Sequence, residues 1–130
     1  MMRRIYILVA ALCLVVPAYA HAQAPDRNFV VFFDLWSGAV DATAQSVIGA
    51  AAKAADAAPS DRVILTGTAD STGSARANAL VSALRTQQVA DALVAAGVAP
   101  ARIDQNALGG TEYVLSSIEA RRVTIAIGGK

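Results

Sequence analysis

The apolar positions of this chain change period several times, and each change marks an element. Phe29-Val30-Val31-Phe32-Phe33 is an unbroken apolar run closed by Asp34, and its β-branched and aromatic content predicts a strand buried on both faces. After a loop with Ser37 and Gly38, Asp41 reads as the N-cap of an alanine-rich helix to about Ala58, with Val47, Ile48, Ala51 and Ala55 on one side. Pro59-Ser60 stops that helix. Arg62 to Gly67 contains Val63-Ile64-Leu65, a second strand. Asp70-Ser71-Thr72-Gly73-Ser74 is a turn offering Ser71 or Ser74 as a cap, and a long helix is expected from about Ala75 to Ala96. Gly97 suits the residue just past its end, with Pro100 beyond. A third strand is expected around Arg102 to Leu108, then a short connection starting at Gly109-Gly110. Finally, Val123, Ile125 and Ile127 alternate with Thr124 and Ala126, which predicts a half-buried strand from Arg122 to Ile127.

The order strand-helix-strand-helix-strand-strand predicts an α+β domain: a two-layer sandwich with both helices on one face of a mixed four-stranded sheet. Helical connections favour parallel pairing, whereas the last strand is open to either sense.

The first stretch follows different rules. Arg3 and Arg4 precede an apolar run from Ile5 to Val16; Pro17 breaks it ahead of the small-residue segment Ala18-Tyr19-Ala20-His21-Ala22. Charge, apolar core and an A-x-A ending are the pattern of a secretory signal peptide over residues 1–22, cut after Ala20 or Ala22. A membrane-spanning helix would need roughly 20 apolar residues. Cys13 has Leu12 before it and lies inside the apolar core, which disfavours lipidation. Residues 23–28 then form a polar linker and residues 29–130 the domain.

Composition matters once the leader is set aside. Of 11 Lys and Arg, Arg3 and Arg4 leave with it, so nine basic residues face 10 acidic ones and no basic excess argues for nucleic acid. The one Cys leaves as well, and the one His lies at the cleavage region. A domain with neither cannot build a Ser-His-Asp triad, a thiol nucleophile or an ordinary zinc site, so no enzyme activity, metal or cofactor is expected.

On a 3.6-residue wheel the second helix places Asn78, Val81, Ser82, Arg85, Val89, Ala92, Leu93 and Ala96 on one face, the expected sheet side, and Arg76, Ala79, Leu80, Thr86, Gln87 and Asp91 on the other. Arg85 needs an explanation there. An arginine turned towards a core keeps its proton and so needs a carboxylate or a bound anion. Either it makes an internal salt bridge that fixes the helix, or it holds a ligand. Asp70, just before the helix, is its natural partner, and the two can flank a pocket at the strand end.

These residues resemble the OmpA-like peptidoglycan-binding family. Its central pattern runs through Gly67-Thr68-Ala69-Asp70-Ser71-Thr72-Gly73-Ser74, then Asn78, Val81-Ser82 and Arg85-Thr86, without a gap. Val31-Phe32-Phe33-Asp34 fits its opening strand, Leu93 to Val98 its helix end, Gly109-Gly110-Thr111-Glu112 the segment after the third strand, and Arg121-Arg122-Val123 its closing arginines. The resemblance implies a periplasmic domain that binds peptidoglycan through the diaminopimelate of the stem peptide. Asp70 would meet the ligand ammonium and Arg85 its carboxylate, with Asn78 and Arg121 supporting the pocket. The free end of diaminopimelate is a zwitterion, which asks for one anion and one cation at fixed separation, and a guanidinium grips a carboxylate bidentately.

The chain also departs from the family. Thr68 stands for its histidine, Ala69 for its threonine, Ala77 for its tyrosine, Leu84 for an arginine and Ala120 for an asparagine, and the loop from Glu112 to Ala120 is short. Leu80 and Leu84 form an apolar pair on the expected outer side of the helix, which keeps a second reading open: an OmpA-fold interaction domain that has lost peptidoglycan and uses that face for an envelope protein. Trp36 reads as a packing residue.

Overall fold

The computed structural model describes residues 27–69, 73–110 and 120–128. The leader expected over 1–22 and most of the linker lie outside the described residues, as do Asp70 and the segment 111–119. Asn28–Phe32 forms β1, Ala42–Ala57 α1, Val63–Ala69 β2, Ala75–Ala95 α2, Ile103–Gly110 β3 and Arg122–Ile127 β4, with a 3₁₀ turn at Pro100–Arg102. The fold is α+β, as expected, with sheet order β1-β4-β2-β3. β2 and β3 run parallel, while β4 is antiparallel to both β1 and β2. The last strand thus settles between the first two. No helix among the described residues is long and apolar enough to cross a membrane.

Local chemistry sets both helices. The Asp41 carboxylate accepts from Ala44 N at 2.7 Å, and Ser74 Oγ accepts from Ala77 N at 3.0 Å, so each helix start has a side-chain cap. Of the two serines offered for the second cap, Ser74 takes the role. At the other end of α2, Gly97 has φ 105°. Its N–H donates to Val94 O and that of Val98 to Leu93 O, both at 3.0 Å. This is a Schellman closure, with Val98 folded back into the core.

The helices cover one face, α1 over β1 and β4, α2 over β2 and β3. Ile48, Ala51 and Ala55 from α1 and Val89, Ala90 and Leu93 from α2 meet Val31, Val63, Leu65, Val123 and Ile125 from the sheet. β1 departs from the expectation of a strand buried on both faces. Val31 points into the core, but Val30 and Phe32 are 37% and 50% exposed. With β4 taking the inner position, β1 becomes an edge, and among the described residues no layer covers its outer side.

The buried face of α2 is also broader than the wheel suggested. Thr86, expected outside, is 1% exposed. Its hydroxyl donates to Ala83 O at 2.9 Å and to Ser82 O at 3.2 Å, while its methyl faces Gly67. Ala96, expected inside, is exposed as the C-cap residue. The helix lies so close to β2 that a Cβ added to Gly67 would stand 2.5 Å from Thr86 Cγ2 and 2.8 Å from the backbone oxygen of Ser82. The side chain can rotate away; the helix backbone cannot. Gly67→Ala is therefore expected to destabilise the domain by about 1–3 kcal/mol through overpacking, measurable by urea denaturation followed by circular dichroism.

At the opposite end of the sheet, Arg62 and Asp104 join β2 to β3 by two hydrogen bonds of 2.5 and 2.7 Å. That hydrogen bonding holds the Asp104 carboxyl below its usual range.

Candidate functional site

Three segments converge where β2 ends. The turn after β1 supplies Asp34 to Ser37, the end of β2 supplies Thr68 and Ala69, and the first half of α2 supplies Asn78, Val81 and Arg85. Asn78, Ser82, Arg85 and Val89 recur at helical spacing and share the buried side of α2. A polar helical stripe is thereby drawn under the sheet end, while Val89 and Leu93 further along join the apolar core.

Arg85 is the largest fully buried side chain among the described residues, at 1% exposure. Its guanidinium donates from Nε to Ser37 O at 2.8 Å, from Nη2 to Asp34 O at 2.8 Å and from Nη1 to Thr68 O at 3.3 Å, and it stands 5.4 Å from the centre of the Phe33 ring. One helix side chain therefore ties the turn after β1 to the end of β2. A partner for Arg85 is expected from its place on the buried face of the helix, whereas backbone carbonyls of a distant turn carry no sequence signal.

Asn78 lines the same depression as Arg85, together with Leu35, Trp36, Ala69 and Val81. It is 4% exposed, and its Oδ1 has no hydrogen-bond partner among the described residues. A buried acceptor without a donor is costly and suits a ligand N–H. Arg121 lies just before β4, where its carbonyl accepts from Phe33 N at 2.8 Å. Its Nε, like that of Arg122, is buried without a partner among the described residues. Thr68, in the place of the family histidine, donates to Ala120 O at 2.5 Å and so links β2 to the residues just before β4. Of the four expected site residues, Asn78 and Arg85 share one depression, Arg121 immediately precedes β4, and Asp70 lies outside the described residues.

A further departure, Leu84, acquires a structural role. Leu84 is 46% exposed, yet a Cβ on Gly38 would come within 2.8 Å of its Cγ, so this leucine seats the turn after β1. Leu80, at 63% exposure, is the open member of the pair. Trp36, read from sequence as packing, lines the depression and leans on Gly73. A large aromatic in a short polar turn was the available signal.

A model of the OmpA family matches residues 32–122. Among solved structures, the peptidoglycan-associated lipoprotein from Burkholderia pseudomallei superposes with a TM-score of 0.72 at 22% identity, covering 83% of this chain and 97% of that one. The OmpA-like domain of FopA1 from Francisella tularensis gives 0.69 at 17% identity, covering 77% and 73%. The periplasmic domain of Helicobacter pylori MotB (residues 78–256) gives 0.67 at 19%, covering 81% and 78%. No curated protein matches the chain.

Proposed function

The chain belongs to the OmpA family, and from that premise we propose that it binds peptidoglycan non-covalently in the periplasm, as a non-catalytic module that anchors or organises the cell envelope. The observation that carries this reading is the pairing of Arg85 with the partnerless Asn78 Oδ1 in one depression, next to the strand end that Asp70 directly follows. The ligand is the free end of diaminopimelate in the stem peptide. Asp70 meets its ammonium and Arg85 its carboxylate, while Asn78 and Arg121 complete the surroundings. A charged hydrogen bond contributes about 1.5–3 kcal/mol, so a single site is weak, and a polymer carrying many copies compensates by rebinding.

Co-sedimentation of the purified protein with intact sacculi tests the proposal. Retention is expected on sacculi whose stem peptides carry diaminopimelate and not on those carrying lysine, which lacks the second carboxylate. Equal retention on both would remove the role given to Arg85.

One observation favours a second reading. At least three N–H groups of Arg85 are engaged with carbonyls, as a purely structural arginine would be, and Leu80 is open. An interaction domain without peptidoglycan binding would show no retention on either sacculus, and its contact with an envelope protein would be lost on Leu80→Arg.

A further inference from the structure

Trp36 is the one described non-glycine residue with positive φ, at 55°. It is the third residue of a turn closed by Ser37 N donating to Asp34 O at 3.1 Å. Glycine or asparagine normally fills such a position, because a side chain there crowds its own backbone. A tryptophan held in that conformation needs a reason, and strained residues of this kind gather at ligand clamps and switch regions.

Its surroundings supply one. The indole reaches across to the segment before α2, where a Cβ on Gly73 would lie 2.5 Å from its Cη2 and 2.9 Å from its Cζ2. Trp36 lines the same tight depression as Asn78 and Arg85, which are 4% and 1% exposed. A ligand cannot meet either residue while the depression is closed this tightly. The backbone on both sides of Trp36 is not free to lift, because Arg85 holds Asp34 O and Ser37 O, each at 2.8 Å. The indole itself is 47% exposed, so its side chain can turn outward without breaking either anchor.

We infer that Trp36 is a door on a fixed frame: its indole closes the site against Gly73 and swings into solvent to admit the stem-peptide residue. The inference rests on the peptidoglycan reading above and adds to it how the ligand reaches two buried groups. It also assigns Arg85 a second task, since the guanidinium that receives the carboxylate is the post on which the door hangs.

Trp36 is the only tryptophan in the chain, so intrinsic fluorescence reports on it alone. Protein expressed from the full sequence is titrated with a soluble diaminopimelate-containing muropeptide, and its emission and acrylamide quenching are followed. At saturation the emission is expected to shift to the red and quenching to rise. Trp36→Gly, which suits the turn and is checked for folding by circular dichroism, is expected to associate with the muropeptide roughly threefold faster or more, because no closed fraction holds back binding. Binding with emission and quenching unchanged would overturn the door while leaving the peptidoglycan reading intact. A fall in quenching would also overturn it, making the indole a roof that stays over the ligand. A wild-type protein that binds neither muropeptide nor sacculi would overturn the door and the peptidoglycan reading together.

Discussion

Arg85→Ala is expected to lower the unfolding free energy by about 3–5 kcal/mol, the range for removing one partner from a buried charged network. The substitution deletes donors to Asp34 O, Ser37 O and Thr68 O; Asp34 O keeps the Ser37 N–H, while Ser37 O and Thr68 O lose the guanidinium beside the space the side chain filled. Each uncompensated group costs about 1–3 kcal/mol, although relaxation of the turn after β1 recovers part of the sum. For a domain of this size the melting temperature should fall by roughly 15–30 °C, as read by circular dichroism. Arg85→Lys keeps the charge but cannot span three carbonyls with one ammonium, so it should lie between the two. Unchanged stability in Arg85→Ala would mean that these hydrogen bonds carry no load. Loss of sacculus binding in this variant cannot by itself assign a ligand contact, because the frame of the site fails with it.

Asp70→Asn separates binding from folding. It keeps the shape of the side chain and removes the charge proposed to meet the ligand ammonium. Loss of about 1.5–3 kcal/mol of charged hydrogen bonding corresponds to a roughly 10- to 150-fold weaker association with diaminopimelate-type sacculi. Stability should change little. The cap of α2 is held by Ser74, and a carboxylate near a helix start contributes only about 0.3–1 kcal/mol. The measurement is a sacculus co-sedimentation isotherm beside a thermal melt of the same preparation. A variant that melts like the parent and still binds like it would exclude Asp70 from recognition.

The two substitutions differ in the way the site was legible from sequence. Asp70 and Arg85 stand out because a charge before a helix and a charge on its buried face both require a partner. Local elements were readable for the same reason: the caps at Asp41 and Ser74, the stop at Gly97 and the alternation of β4 are each decided within a few residues. Properties set by distant segments were not. The exposure of Phe32 depends on β4 entering between β1 and β2, and the run from Phe29 to Phe33 looks the same whether a strand is central or at the edge. Thr86 was placed outside because a wheel weighs polarity, whereas its position is set by the missing side chain of Gly67. The carbonyls that hold Arg85 belong to a turn 48 and 51 residues earlier, where any residue supplies the same oxygen.

The central place of β4 also governs when the domain can form. Among the described residues β1 pairs only with β4, so its backbone groups wait for a partner made much later in the sequence, and closing that long loop is slow. A chain emerging N-terminus first, from a ribosome or through a narrow pore, would carry β1 as an unmatched ribbon until residues 122–127 came through. Assembly of the sheet is thereby postponed until that segment is available, and the first strand stays extended and pliable until then.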